Sequence, residues 1–365
     1  MINIGALLKA MIDKKASDIH IRVGTSPTLR IHGELFRAQM DPLSPPDMAQ
    51  MITELMSDEQ RAVFEKNHEI DFGYGLKGIG RFRINAFRQR GTPALAIRAI
   101  RTEIPGFDEL KLPAVILDIA MKQRGLILVT GTTGSGKSTL LASMIDHINK
   151  NASVNIITIE DPIEFLYRDN KSIIAQREIG MDSHRFANAL RASFRQDPDV
   201  ILIGEIRDKD TMETAMSAAD TGHLVMSTLH TMNALETVSR IISFFPPHQH
   251  QQIRLVLSSV LVAVISLRLL PRKDGSGLVP AVEILINNAT IAEYLMDQEK
   301  SHLILGAVCE GYTQYGSQSF DQSLLQLLRD DLITFHVACQ NASNPDDFEL
   351  KVKGIEGTSD RRWIT

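Results

Sequence analysis

The run Gly131-Thr132-Thr133-Gly134-Ser135-Gly136-Lys137-Ser138 sets three glycines, a lysine and a hydroxyl at the spacing of a polyphosphate cradle. Glycines let backbone N–H groups close around phosphate oxygens without side-chain obstruction, and a helix that starts at the lysine aims its positive end at them. The apolar residues 126–130 before the loop read as a strand, and Leu140, Leu141 and Ile145 after Thr139 read as the inner face of a helix. In such a setting Lys137 reaches the β and γ phosphates and Ser138 binds Mg²⁺.

Three later segments carry further chemistry. Asp199-Val200-Ile201-Leu202-Ile203-Gly204-Glu205 is an apolar strand that delivers a carboxylate at its C-terminal end, where open α/β sheets place their ligands. Glu205 is therefore the candidate second nucleotide-site acid, and its length suits a metal held through water. The segment Thr158-Ile159-Glu160-Asp161-Pro162-Ile163-Glu164-Phe165 puts three carboxylates just past another apolar strand. A glutamate near the γ-phosphate can orient and deprotonate water, whereas Asp161, ahead of a proline, can equally cap the loop. A third strand runs between His223 and His230, and His230 falls at the same edge as the phosphate loop while His223 is expected to order a turn. Upstream, Arg81 and Arg83 alternate with Phe82 and Ile84, so both cations share one strand face, either solvated or turned to an anion.

These residues need elements to hold them. Apolar runs at 126–129, 156–159, 200–203 and 224–227 alternate with helical patterns, which implies a parallel sheet covered by helices on both faces. Up to Ile100, short strand-like runs, including 17–23 and 81–87, flank a helical stretch at 46–67 and form an α+β module. The expected division is an N-terminal domain at 1–101, a linker at 102–113, an ATPase-type core at 114–285, a helical part at 286–353 and a polar tail at 354–365 without fixed structure. The apolar stretch 255–267 is too short and interrupted for a membrane span and reads as a buried helix.

Composition narrows the classes. With 39 basic against 44 acidic residues the chain lacks the positive balance of a nucleic-acid binder. Two cysteines give no disulfide framework or zinc spacing, and the amphipathic N-terminus is no secretion signal, so a cytoplasmic setting is expected.

The four ordered motifs resemble the secretion ATPase family that powers type IV pili and type II secretion, most nearly its pilus-retraction, or twitching-motility, branch (PilT and PilU). Ala16-Ser17-Asp18-Ile19-His20, Gly80-Arg81-Phe82-Arg83, Arg195-Gln196-Asp197-Pro198-Asp199 and Leu269-Leu270-Pro271-Arg272 also look like family positions. The resemblance implies an α/β, RecA-like P-loop ATPase core with an N-terminal PAS-like α+β domain, assembled as a homohexamer. It implies ATP and Mg²⁺ as ligands, and an inner-membrane pilus platform protein as partner at the cytoplasmic face of that membrane. By resemblance Glu164 is the catalytic glutamate, Glu205 the Walker B acid holding Mg²⁺ with Ser138, and His230 the phosphate-sensing histidine, while Arg81 and Arg83 reach the γ-phosphate. Thr290-Ile291-Ala292-Glu293-Tyr294-Leu295-Met296 replaces an Ala-Ile-Arg-Asn-Leu-Ile-Arg type segment of the retraction branch, and Phe320-Asp321-Gln322-Ser323-Leu324-Leu325 is similar to accessory motors that support a paralogous retraction ATPase. The rival readings are a pilus-assembly or type II secretion ATPase, usually with a four-cysteine zinc module, a nucleic-acid motor, and a nucleotide-binding ring that hydrolyses nothing.

Overall fold

The computed structural model describes residues 3–31, 33–100 and 103–354; the expected tail past Gly354 and the expected boundary at Arg101 and Thr102 lie outside the described residues. The chain forms two compact units. The first runs to Glu103 and includes Pro162–Leu166 and Gly180–Asp182, and the second holds the rest.

The first unit is built on six strands, β1 (Asp18–Arg22), β2 (Thr28–Ile31), β3 (Glu34–Arg37), β4 (Glu69–Leu76), β5 (Gly80–Gln89) and β6 (Thr92–Ala99). They lie in the order β3-β2-β1-β6-β5-β4, and every neighbouring pair is antiparallel. Alternation decides which face is buried: Phe82, Ile84 and Ala86 of β5 join Ile19, Ile21, Leu95 and Ile97 in a core closed by Leu8, Met48 and Phe64 from helices. The expected helical stretch at 46–67 is two helices, Pro45–Leu55 and Asp58–Asn67, each opened by a capping box at Ser44 and Ser57.

The second unit contains β7 (Gly125–Thr130), β8 (Asn155–Glu160), β9 (Ile173–Glu178), β10 (Val200–Ile203), β11 (Leu224–Leu229), β12 (Leu261–Pro271) and β13 (Leu278–Ile286). Their order is β13-β12-β7-β11-β10-β8-β9, with β13 antiparallel to β12 and all other pairs parallel. One face packs on helix Lys137–Asn151 through Leu141, Met144 and Ile145, and the other on Met212, Val238 and Leu257 of three later helices. The four strands read from the sequence are all present. The helix expected over 255–267 is not: helix His250–Val260 ends there and β12 follows. A strand buried on both faces has a continuous apolar sequence, so period alone cannot separate it from a buried helix, and pairing with both β7 and β13 settles it.

Candidate nucleotide site

Parallel pairing fixes where the strands end. Thr130 lies opposite Leu229, and Ile203 lies opposite both Ser227 and Ile159, so β7, β8, β10 and β11 finish at one edge of the sheet. The chain leaving each strand there carries the predicted chemistry: the phosphate loop after Thr130, Glu160 on β8, Glu205 after β10 and His230 after β11.

The loop is held by its glycines and its lysine. Gly131, Gly134 and Gly136 have φ of 140°, 80° and 95°, values that side chains rarely tolerate. A Cβ at Gly131 would sit 2.5 Å from both the Leu267 carbonyl oxygen and the Ser135 hydroxyl, so the loop is pressed against β12. Lys137 is buried, and its Nζ donates to the Gly131 and Thr132 carbonyls at 2.8 and 2.9 Å, placing its ammonium inside the curve of the loop. The 15-residue helix Lys137–Asn151 opens at Gly136 without a side-chain cap, which leaves first-turn N–H groups and the positive helix end for an anion. Thr132, Thr133 and Gly134 are exposed, and Ser138 and Thr139 are half-buried in the first turn.

Glu205 is positioned by backbone bonds from its neighbours. The Gly204 N–H donates to Ile159 O at 2.8 Å, Thr228 Oγ1 donates to Gly204 O at 2.7 Å, and the Ile206 N–H donates to Thr228 O at 3.1 Å. Its largely buried carboxylate pairs with Arg207 and lies 3.5 Å from His230 Nε2, so two residues read 25 positions apart in sequence meet. His223 orders a turn as expected: its Nδ1 lies 2.9 Å from Ala218 O, and its ring stacks on Phe194 at 5.8 Å.

The three carboxylates after β8 separate. Glu160 is buried in the sheet and accepts from Thr158 Oγ1 at 2.7 Å and from Gln176 Nε2 at 3.4 Å. Asp161 and Glu164 are exposed, and Glu164 sits between the buried side chains of Ile163 and Phe165 in the segment that belongs to the first unit. Arg81 and Arg83 also lie in the first unit, half-buried on the face opposite Phe82; Arg83 Nε is 3.5 Å from Asp71 Oδ1, and Arg81 approaches Met181 Sδ at 3.7 Å. The second unit thus brings together the phosphate loop, Glu205 and His230, and the first holds Glu164, Arg81 and Arg83.

One feature escaped sequence reasoning. A cavity of about 230 Å³ adjoins the loop at Gly136 and Thr139, with Leu269, Leu278 and Pro280 as apolar wall and Arg272 at its edge. Its size suits a planar ring rather than a whole nucleotide. The only signal was Leu269-Leu270-Pro271-Arg272, whose lining role depends on β12 passing beside the loop.

The chain matches the family model described as "Type II/IV secretion system protein" over residues 1–310. It is 40% identical over 355 residues to the type IV pilus ATPase PilU of Pseudomonas aeruginosa, covering 97% of this chain and 92% of that protein. To the type IV pilus retraction ATPase PilT of the same organism it is 39% identical, covering 95% and 100%. A crystal structure of the pilus retraction motor PilT with bound ADP superposes with a TM-score of 0.87 at 44% identity, covering 96% of this chain and 99% of that one. The α/β fold with a RecA-like ATPase core, expected from the motifs, stands with these findings.

The crowding at Gly131 gives a direct prediction. Gly131→Ala is expected to weaken ADP binding at least tenfold, about 1.4 kcal/mol, because the loop must shift off β12. Calorimetric titration of the folded variant with ADP checks this, and unchanged affinity would mean that the loop adapts.

Proposed function

We propose, from the premise that this chain belongs to the type II/IV secretion system protein family, that it is a P-loop ATPase motor that powers type IV pilus retraction. The observation that carries this is near full-length similarity to one relative named a type IV pilus ATPase and another named a type IV pilus retraction ATPase, on a chain whose phosphate loop, Glu205 and His230 share one sheet edge. Its working form is a homohexamer at the cytoplasmic face of the inner membrane, acting on a pilus platform protein. Among the described residues no helix is long and apolar enough to cross a membrane. The test is pilus retraction in cells lacking the gene, complemented with the wild-type chain or Lys137→Ala. Wild type is expected to restore retraction and the variant not; restored pilus assembly with retraction untouched would assign the chain to the assembly motors instead.

In this reading the loop amides and Lys137 hold the β and γ phosphates, and the base occupies the slot between Leu269, Leu278 and Gly136. Among the described residues no three His, Cys, Asp or Glu side chains cluster into an all-protein cage. The donors fit Mg²⁺ nonetheless, since that ion keeps several waters and takes phosphate oxygens, leaving Ser138 and a water-bridged Glu205 as the protein's share. Mg²⁺ bound there would offset negative charge on the transferring phosphate. His230, beside Glu205, hydrogen-bonds the γ-phosphate and registers its loss. Glu164 orients and deprotonates the attacking water. Glu164→Gln is then expected to slow hydrolysis by roughly 10²–10⁴-fold with ATP affinity preserved. Steady-state turnover beside Glu205→Gln checks the assignment; a near wild-type Glu164→Gln would move the base elsewhere.

Arg81 and Arg83 supply positive charge to the γ-phosphate in the working assembly. Arg83→Ala is expected to lower turnover at least tenfold, about 1.4 kcal/mol of barrier, with nucleotide affinity near wild type. ATPase rates on assembled hexamers decide it, and turnover within about twofold of wild type would return Arg83 to a solvated strand face. The accessory variant of this function, support for a paralogous retraction ATPase, is favoured by Ala292 and Met296 standing where the retraction branch carries arginines.

A further inference from the structure

A row of buried polar side chains crosses the sheet next to the phosphate loop. Thr130, the last residue of β7, donates from Oγ1 to Ser266 Oγ at 2.9 Å. Ser266 lies in register with Thr130 on one side and Glu283 on the other, and its hydroxyl hydrogen-bonds the Glu283 carboxylate. Glu283 Oε1 accepts from the Ala234 N–H at 2.7 Å. Thr130 and Ser266 are fully buried and Glu283 is 4% exposed.

Ala234 opens helix Ala234–Ser243, four residues after His230. The intervening loop is fastened to that helix: Thr231 and Thr237 hydroxyls meet at 2.7 Å, the Met232 N–H donates to Glu236 Oε2 at 2.8 Å, and Asn233 caps the Glu236 N–H at 2.8 Å. Where the helix start goes, His230 follows. The row therefore joins the strand that leads into Gly131 to the loop that begins with His230, by hydrogen bonds through three strands and one carboxylate.

Burying a carboxylate in a sheet costs several kcal/mol unless its oxygens are bonded, so a residue here that only filled space would be apolar. The geometry points to Glu283 as a positioning residue for hydrolysis, holding His230 and the phosphate loop at fixed separation through Ser266 and Thr130. This rests on the ATPase reading above.

Burial pushes the Glu283 carboxyl up to about 7, against the Ala234 N–H, Arg268 on β12 and the Ser266 hydroxyl, which favour the charged form. Asp321, at the start of helix Phe320–Arg329, opposes ionisation, and the Cys309 thiol of helix Ile304–Glu310 also feels this carboxylate. The charged carboxylate accepts from both Ser266 and Ala234, whereas the protonated form must redirect one of those bonds. Turnover is thus expected to fall as pH drops through about 7. Stability moves the other way: the folded carboxyl titrates above its ordinary 4.5, so its favourable contribution is complete below the unfolded value and lost as pH rises through about 7.

The test uses full-length assembled enzyme: wild type, Glu283→Ala, Glu283→Gln, Ser266→Ala and Ser266→Ala/Glu283→Ala, with kcat, ADP affinity and melting temperature measured between about pH 6 and pH 8.5. Glu283→Ala and Ser266→Ala are each expected to lower kcat about fivefold or more with ADP affinity within about twofold, and the double variant to lose little beyond the worse single change. Glu283→Gln keeps an acceptor for Ala234 and should retain most of kcat while its pH profile loses the inflection near 7. Variants that melt earlier yet keep wild-type kcat and the wild-type pH profile would overturn the proposal, leaving the row a structural brace. Where Glu283→Ala does not fold, Glu283→Gln and Ser266→Ala decide between these outcomes. A wild-type enzyme without ATP turnover would sink the ATPase reading itself, a separate failure.

Discussion

Everything at the nucleotide site depends on parallel backbone pairing. In a parallel ladder all strands point one way, so the residues that follow them emerge at a common edge however far apart they stand in sequence. Here β7 is flanked by β11 and β12, which arrive some hundred residues later. A one-residue slip in any of these pairings would swap side chains between the two helix-covered faces of the sheet and shift Glu205 or His230 relative to the loop. The polar residues inside the sheet guard against such a slip. Ser227 Oγ on Ile203 O at 2.8 Å and Thr228 Oγ1 on Gly204 O at 2.7 Å are bonds that only one register satisfies.

The same pairing explains why the loop must be so rich in glycine. β12 lies against β7 along the length that leads into the loop, with Leu267 O where a side chain on Gly131 would go. That closeness also makes the apolar slot, since Leu269 lies on the continuation of β12 past the loop. The phosphate cradle and the slot beside it are two products of one strand contact, and the Thr130–Ser266–Glu283 row runs through that contact.

How much of this could be read from sequence follows from how local each signal is. The phosphate loop was legible because its glycines, lysine and serine are contiguous and the flanking strand and helix patterns agree. Glu205 and His230 were legible because each ends an apolar run, and the strand ends of a parallel sheet have a known destination. β12 was not legible, since a strand buried on both faces looks like a buried helix. Nor was Glu283: it sits in Val279-Pro280-Ala281-Val282-Glu283-Ile284, where one acid in an apolar run carries no local mark of its partners, which lie 17 and 49 residues upstream. Glu164 and Glu160 could not be told apart by spacing, and their different burial comes from one chain turn after β8.

The Arg83–Asp71 contact bears on whether that arginine can serve an anion. Their separation is 3.5 Å and their side chains are 40% and 49% exposed, so water screens the pair and its worth is about 0–1 kcal/mol. The register adds that Arg83 lies opposite Arg98, another cation, whose own partner is Asp18 at 2.8 Å. Like charges directly opposite are unfavourable, and although Asp18 and water reduce the effect of Arg98, it works against what Asp71 contributes. An arginine held by so small a net attraction gives up little when it turns to a phosphate, whereas one locked in a buried bidentate pair would lose several times more. Asp71 therefore competes only weakly for Arg83, as the proposed contact of that arginine with a phosphate requires.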